Sequence, residues 1–309
     1  MKKIFLMLTA AALSAGVMFA QDINQATENY NNGAMELQMG NNDAAITYFQ
    51  TALEMAEALG EEGEEVAANC RNIIPAIYLS SAKEQIKAKN YDAAVEQLTK
   101  AIEAAGKYDA ADVADDANEL MPQVYMSKGN DFLNAKNFPE AEAAYNKSLE
   151  LNPENGMAYF RLGQVLASQN KVAEAEAAYL QAAANGQEKN AYKQLSTIYV
   201  KLAQASNKAK KYEEVVEYAA KSNQYLENAN AYRFAAGAYQ QLGKNAECIA
   251  QFEKYLELSP NAKDAAGVKF TIAALYQQGG DKAKAKEYYQ AVSTDPQYGP
   301  SAQEQLKTL

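Results

Sequence analysis

Histidine, the side chain that carries most general-base, metal-ligand and physiological-pH work, is absent from all 309 residues. Carboxylates, amines, phenols and two thiols are what remain for chemistry. Asp109, Asp112, Asp115 and Asp116 crowd one short stretch. A calcium loop needs alternating oxygen ligands, a turn glycine and a terminal glutamate, and that order is missing. The four aspartates read as the solvated start of a helix, where the macrodipole favours negative charge, and Glu61, Glu62, Glu64 and Glu65 read the same way. Gly237 and Gly243-Lys244-Asn245 distantly echo a phosphate-binding loop. The spacing is one residue too long, and Asn245 stands where Ser or Thr must hold the metal. Asn207-Lys208-Ala209-Lys210-Lys211 is a small basic patch, read as a solvated helix end that could also grip an acidic partner. Cys70 and Cys248 lie far apart in the chain and read as two buried small residues rather than a disulfide. No carboxylate pair sits in an apolar surround of the kind that separates a catalytic acid from its base. The sequence thus nominates no catalytic residue, no metal ligand and no cofactor, and the expectation is a protein that is not an enzyme.

The elements that must carry these residues show in a repeated spacing. A small residue, a large apolar one four places on and a small one three places later recur along the chain. The instances are Ala45-Phe49-Ala52, Ala94-Leu98-Ala101, Ala141-Tyr145-Ser148, Ala175-Tyr179-Ala182, Val215-Ala219-Ser222, Cys248-Phe252-Tyr255 and Ala285-Tyr289-Val292. Steps of four and three put each trio on one helical face. Twelve residues earlier, on a preceding helix, stands another small residue: Gly33, Ala82, Gly129, Gly163, Ala236 or Ala273, and Ser196 in the fifth unit, displaced by an insertion near Gln204 to Lys210. Four places before it comes an aromatic in five units: Tyr78, Tyr125, Tyr159, Tyr192 and Tyr232. A small residue on one helix lets its partner approach while the large residue fills the groove beside it. One such pair cannot bury its apolar face alone, so pairs must stack. Tyr78, Tyr125, Tyr145, Tyr159, Tyr179 and Tyr289 therefore read as core. Pro75 and Pro122 fall inside helical stretches and predict extended, kinked first helices, preceded by turns at Gly60 to Gly63 and at Gly106-Lys107.

The units Tyr125 to Pro153, with Gly129, Ala141 and Tyr145, and Tyr159 to Tyr179, with Gly163 and Ala175, resemble the tetratricopeptide repeat family. The resemblance extends over about residues 26–297. It implies an all-α fold, a right-handed superhelix or α-solenoid of about seven antiparallel helix pairs with a C-terminal capping helix. The units run over about residues 26–59, 64–105, 112–153, 156–185, 189–227, 229–260 and 264–297, within a solenoid of 21–298, and the cap over 299–309. The chain departs from the family in never starting a unit with Trp, in its two long opening units, and in Ala219 where an aromatic belongs.

The resemblance also implies that the first helix of each pair lines a concave groove for a protein or peptide. The row after the start aromatic gives Tyr30, Leu79, Met126, Phe160, Lys193, Arg233 and Phe270, and Asn130 and Lys201 lie on the same helices. The N-terminal part of that groove is apolar and aromatic, and the part around the fifth and sixth units is basic. The competing expectation is that the apolar row is covered by the chain's own superhelix or, through self-association, by a second copy. A net charge of −10 argues against nucleic acid or an anionic membrane as partner. Lys2-Lys3 followed by the apolar run Ile4 to Phe19 reads as a signal peptide over residues 1–20, cleaved after Ala20 or after Gly16, with a soluble periplasmic or secreted product. Loss of Lys2 and Lys3 takes the charge from −10 to −12. The function expected is a protein- or peptide-binding scaffold of the cell envelope. A carbohydrate- or nutrient-capture accessory is the alternative, and a cell-wall glycan enzyme a more distant one.

Overall fold

The computed structural model describes residues 19–309, with side chains from Ile23 onward. The expected signal segment falls, but for its last two residues, outside the described residues. Every regular element described is helical. The chain divides into two compact units, one ending at Ala158 and the other beginning at Tyr159.

The first unit holds three hairpins: α1 (Phe19–Gln38) with α2 (Asn42–Ala58), α3 (Glu64–Lys87) with α4 (Tyr91–Lys107), and α5 (Ala111–Asn134) with α6 (Phe138–Leu151). A single 3-10 turn, Gly60–Gly63, separates the first hairpin from the second. The second unit holds α7 (Gly156–Ser168) with α8 (Val172–Ala182), α9 (Glu188–Lys208) with α10 (Tyr212–Tyr225), α11 (Ala229–Gln241) with α12 (Asn245–Leu258), and α13 (Ala265–Gln278) with α14 (Lys282–Gln290). A last helix, α15 (Gly299–Thr308), follows. The α-solenoid of helix pairs with a terminal cap, expected from the repeat, is what the chain builds.

The close approach that the spacing demands is visible at the glycines. A Cβ on Gly129 would lie 2.7 Å from the Tyr145 ring, and one on Gly163 would lie 2.9 Å from the Tyr179 ring. Gly33 meets Phe49 in the same way, at 3.1 Å. Tyr145, Tyr179 and Tyr289 are fully buried, whereas Tyr78, Tyr125 and Tyr159 are only half-buried. The difference is positional. Tyr145 and Tyr179 lie against Gly129 and Gly163 on the first helix of their own hairpin. The fifth hairpin fills its core differently. Ala219 is small, and the buried Tyr199 stacks 6.1 Å from both Tyr218 and Tyr225, while the buried hydroxyls of Ser196 and Ser222 bond at 2.9 Å.

Each hairpin turns in one way. Two residues past the end of the first helix the backbone enters the left-handed region, at Gly40, Lys89, Lys136, Asn170, Lys210, Gly243 and Gly280. The next amide then reaches back to a carbonyl five residues earlier, as Asn90 does to Gln85 and Asn137 to Phe132, each at 2.9 Å. This closure satisfies carbonyls that the helix end would otherwise orphan.

The insertion near Gln204 to Lys210 is absorbed by lengthening α9 to 21 residues. Pro75 and Pro122 both lie buried inside continuous helices. The turn expected at Gly106-Lys107 is displaced. Both residues belong to α4, and the reversal falls on Tyr108 to Ala110, with Asp109 left-handed at φ 54°. A short polar side chain tolerates that conformation, and the Ala110 amide closes the helix end on Ala105 at 2.9 Å.

Candidate functional site

The residues expected to line a groove are divided by the fold into buried and exposed sets. In the first unit Tyr30 is only 8% exposed and Leu79 7%. Tyr30 packs edge-on against Phe49 with ring centres 5.3 Å apart, and Leu79 joins Leu98 and Val124 in the core. Both side chains are committed to the interior, which corrects the expectation that they face a partner. Met126 stays half-exposed, as do Leu37, Ile86 and Leu133. Asn130 is half-buried, and its Oδ1 accepts the Tyr145 hydroxyl at 2.8 Å, so its carbonyl end holds the core phenol in place.

In the second unit Phe160 and Phe270 repeat the Tyr30 arrangement but remain half-exposed. Phe160 stands edge-on to Tyr179 at 5.6 Å, and Phe270 edge-on to Tyr289 at 5.3 Å. Lys193, Lys201 and Arg233 are exposed. Arg233 forms an ion pair with Asp264, Nε to Oδ2 at 2.7 Å, and Asp264 also accepts the Tyr255 hydroxyl at 2.5 Å. Burial pushes the Asp264 carboxyl up, but the Tyr255 hydroxyl and the Arg233 charge outweigh it and hold it below the ordinary carboxylate range. Tyr255 is pushed up to about 12 by burial and by that same bond. A cleft of about 270 Å³ opens here, with Phe234, Phe252 and Val268 as apolar lining and Arg233, Asp264 and Asn207 as polar lining.

Two larger clefts lie at the seams between successive hairpins. In the first unit a cleft of about 420 Å³ is lined by Lys89, Tyr91, Asp92, Lys128 and Asp131. These groups satisfy one another. The Tyr91 hydroxyl donates to Asp131 at 2.8 Å, Lys89 reaches the same carboxylate at 3.0 Å, and Lys128 pairs with Asp92. Lys89 and then Tyr91 hold the Asp131 carboxyl below its usual range. In the second unit a cleft of about 400 Å³ is lined by Ile249, Leu275, Tyr276 and Glu253. Glu253 accepts the hydroxyls of Tyr276 and Tyr288 at 3.0 Å each. These paired phenol–carboxylate contacts clamp neighbouring hairpins together.

The remaining groups singled out by their type find structural roles. Asp112 lies in the first turn of α5, and Asp116 pairs with Lys83 at 3.3 Å. No cluster of acidic, histidine or cysteine side chains among the described residues could hold a metal. Gly237 sits within α11 rather than in a loop. Cys70 and Cys248 are buried free thiols, pushed by burial up to about 12 and about 11. No described helix is long and apolar enough to cross a membrane. Sequence reasoning missed two things. One is the partner of Arg233: Asp264, thirty-one residues on, whose place just before α13 was the available signal. The other is Lys189, which lies four residues before Lys193 on the same exposed face of α9.

Solved structures similar to this chain include YrrB, a TPR protein with an unusual peptide-binding site. It is 20% identical over 60% of this chain and 91% of that one, with a TM-score of 0.32. PilF of Pseudomonas aeruginosa is 20% identical over 62% and 92%, at 0.29, and MamA is 17% identical over 59% and 96%, at 0.35. None of the curated proteins matches. Family models described as tetratricopeptide repeat match residues 126–190 and residues 29–59, 229–262 and 266–297, together more than half of the sequence. With the small-against-aromatic hairpin cores at Gly33, Gly129 and Gly163 already in place, these matches establish that the chain belongs to the tetratricopeptide repeat family.

Proposed function

We propose that this protein is a binding scaffold of the cell envelope that holds a protein or peptide against the first helices of its hairpins. Tetratricopeptide repeat proteins are in general protein-interaction scaffolds. One observation carries the finer reading. Within each unit the row after the start aromatic keeps partly exposed apolar side chains, Met126 in one and Phe160 and Phe270 in the other, while the residues that build the hairpins are buried. Half-exposed apolar side chains recurring on one row mark a contact surface. The work is binding and not catalysis. Export is part of the proposal and is supported by Lys2-Lys3 and the apolar run from Ile4 to Phe19.

The test is capture from envelope extract by the wild-type chain and by variants carrying Met126→Ser and Phe160→Ser. Loss of the captured protein with helicity retained in circular dichroism is the expected result. Undiminished capture by the double variant overturns the assignment of the row. Mass spectrometry of the exported chain, with its first residue found at Gln21 or Val17, checks the export step.

A further inference from the structure

The acidic balance of the chain is broken along one helix. From Lys189 to Lys208, α9 contains no acidic residue; its single carboxylate is Glu188 at the start. Lys189, Lys193, Lys201 and Lys208 are all exposed. At 100° per residue they fall within about a third of the helix circumference. That arc lies opposite the buried Ala191, Leu195, Tyr199 and Ala203. With a rise of about 1.5 Å per residue the row extends for nearly 30 Å. No ion pair or hydrogen bond engages any of these four ammonium groups among the described residues. Some lysines elsewhere are matched, Lys83 with Asp116, Lys89 with Asp131, Lys128 with Asp92 and Lys254 with Glu257, while Lys136, Lys263, Lys282 and Lys286 are exposed without an ion pair. On the following helix, Glu214 is bonded to Ser206 and Lys211.

A second feature adjoins the row. Asn207, the neighbour of Lys208 on α9, lines the cleft that holds Arg233, Phe234, Phe252 and Val268. Asp264 lies beside Arg233, Oδ2 at 2.7 Å from Nε, and the Arg233 side chain stays exposed. A planar, exposed guanidinium suits a carboxylate, and the phenylalanines beside it suit a large apolar side chain. Unmatched cations beside an apolar cleft, in a chain of net charge −10, have as their complement an acidic segment bearing one large apolar residue.

We infer that the lysine face of α9 and the Arg233 cleft form one binding surface for an acidic peptide segment carrying a large apolar side chain. This rests on the reading of the protein as a peptide-binding scaffold and names the chemistry of the partner. The peptide's carboxylates lie along Lys193 and Lys201, its apolar side chain enters between Phe234 and Phe252, and a flanking carboxylate meets Arg233.

Fluorescence anisotropy with the full chain tests it, using labelled synthetic peptides. The first is glutamate-rich around one phenylalanine. The others replace the glutamates by glutamines, replace the phenylalanine by alanine, or carry lysines in place of the glutamates. The glutamate–phenylalanine peptide is expected to bind at least about tenfold more tightly than the glutamine version, and to weaken as salt shortens the screening length from about 10 Å to about 3 Å. K193E/K201E is expected to lose about tenfold or more, a difference of about 1.4 kcal/mol, and K193Q/K201Q less. Both variants alter exposed side chains, and circular dichroism checks that they fold. Equal binding of the glutamine peptide, or unchanged affinity in K193E/K201E, overturns the inference and leaves the scaffold reading standing. Failure to bind any of these peptides, together with failure to capture any envelope protein, overturns both. Preference for single-stranded nucleic acid or for phosphatidylglycerol vesicles over the acidic peptide, lost in K193E/K201E, assigns the face to another polyanion and overturns the inference.

Discussion

Two helical glycines test the packing rule at the scale of single residues. Gly129 has no room for a methyl group, because the fully buried Tyr145 ring lies 2.7 Å from where its Cβ would stand. Overpacking a filled core costs about 1–3 kcal/mol, and Ala recovers about 1 kcal/mol of that through helix propensity. Gly129→Ala should therefore destabilise by up to about 2 kcal/mol. Gly106 lies in α4 with nothing within 4 Å of its Cβ position, so only the propensity gain remains, and Gly106→Ala should stabilise by up to about 1 kcal/mol. Urea unfolding of both variants checks the pair. Stabilisation by Gly129→Ala would show that the close approach does not govern this hairpin. The small residues at these intervals were readable because their spacing repeats. The interior commitment of Tyr30 and Leu79 was not, because a row along a helix does not state how far a neighbouring hairpin covers it.

The seven hairpin turns share one backbone form, and the element is where its cost is decided. Gly40, Gly243 and Gly280 occupy the left-handed position without strain, whereas Lys89, Lys136 and Lys210 hold it despite their Cβ. The left-handed conformation costs a non-glycine residue about 1–2 kcal/mol, offset in part by the greater flexibility of unfolded glycine. Lys136 is exposed and its replacement disturbs no core. Lys136→Gly should stabilise the protein by about 0.5–1 kcal/mol, read as a raised midpoint of chemical unfolding. A lowered midpoint would mean that the lysine contributes something the turn geometry does not explain. The turns at Gly40 and Gly243 were legible from glycine. The turn after α4 was not, because Gly106 drew the boundary too early while Asp109 supplied the positive φ.

At the scale of the whole molecule, a chain built from stacked hairpins transmits disturbance only to its neighbours. The last helix α15 buries Ala302 and covers Tyr289, Val292 and Ala273, with Leu306 and Leu309 packed alongside. Gln277 bonds Gln305 across the same contact at 3.1 Å. Removing residues 299–309 should uncover that cluster and speed amide exchange in α13 and α14. Exchange in α3 to α6, within the other unit, should stay as it was. Hydrogen exchange followed by mass spectrometry reads this directly. Uniform loss of protection along the chain would show that the hairpins unfold as one body, against nearest-neighbour stacking.

The sequence by itself determined the repeat, its helix pairs, the small-against-aromatic contacts and the family, because those depend on residue size at fixed helical intervals. It also determined that no site can use an imidazole, since no later folding supplies an absent histidine. Only the tertiary structure decided which members of the expected row reach solvent and which charges remain unmatched. Tyr30 and Leu79 are claimed by hairpin cores, Arg233 is half-claimed by Asp264, and the lysines of α9 are left free. Burial and ion pairing arise where separate helices meet, and such contacts are not encoded in the spacing along any one of them.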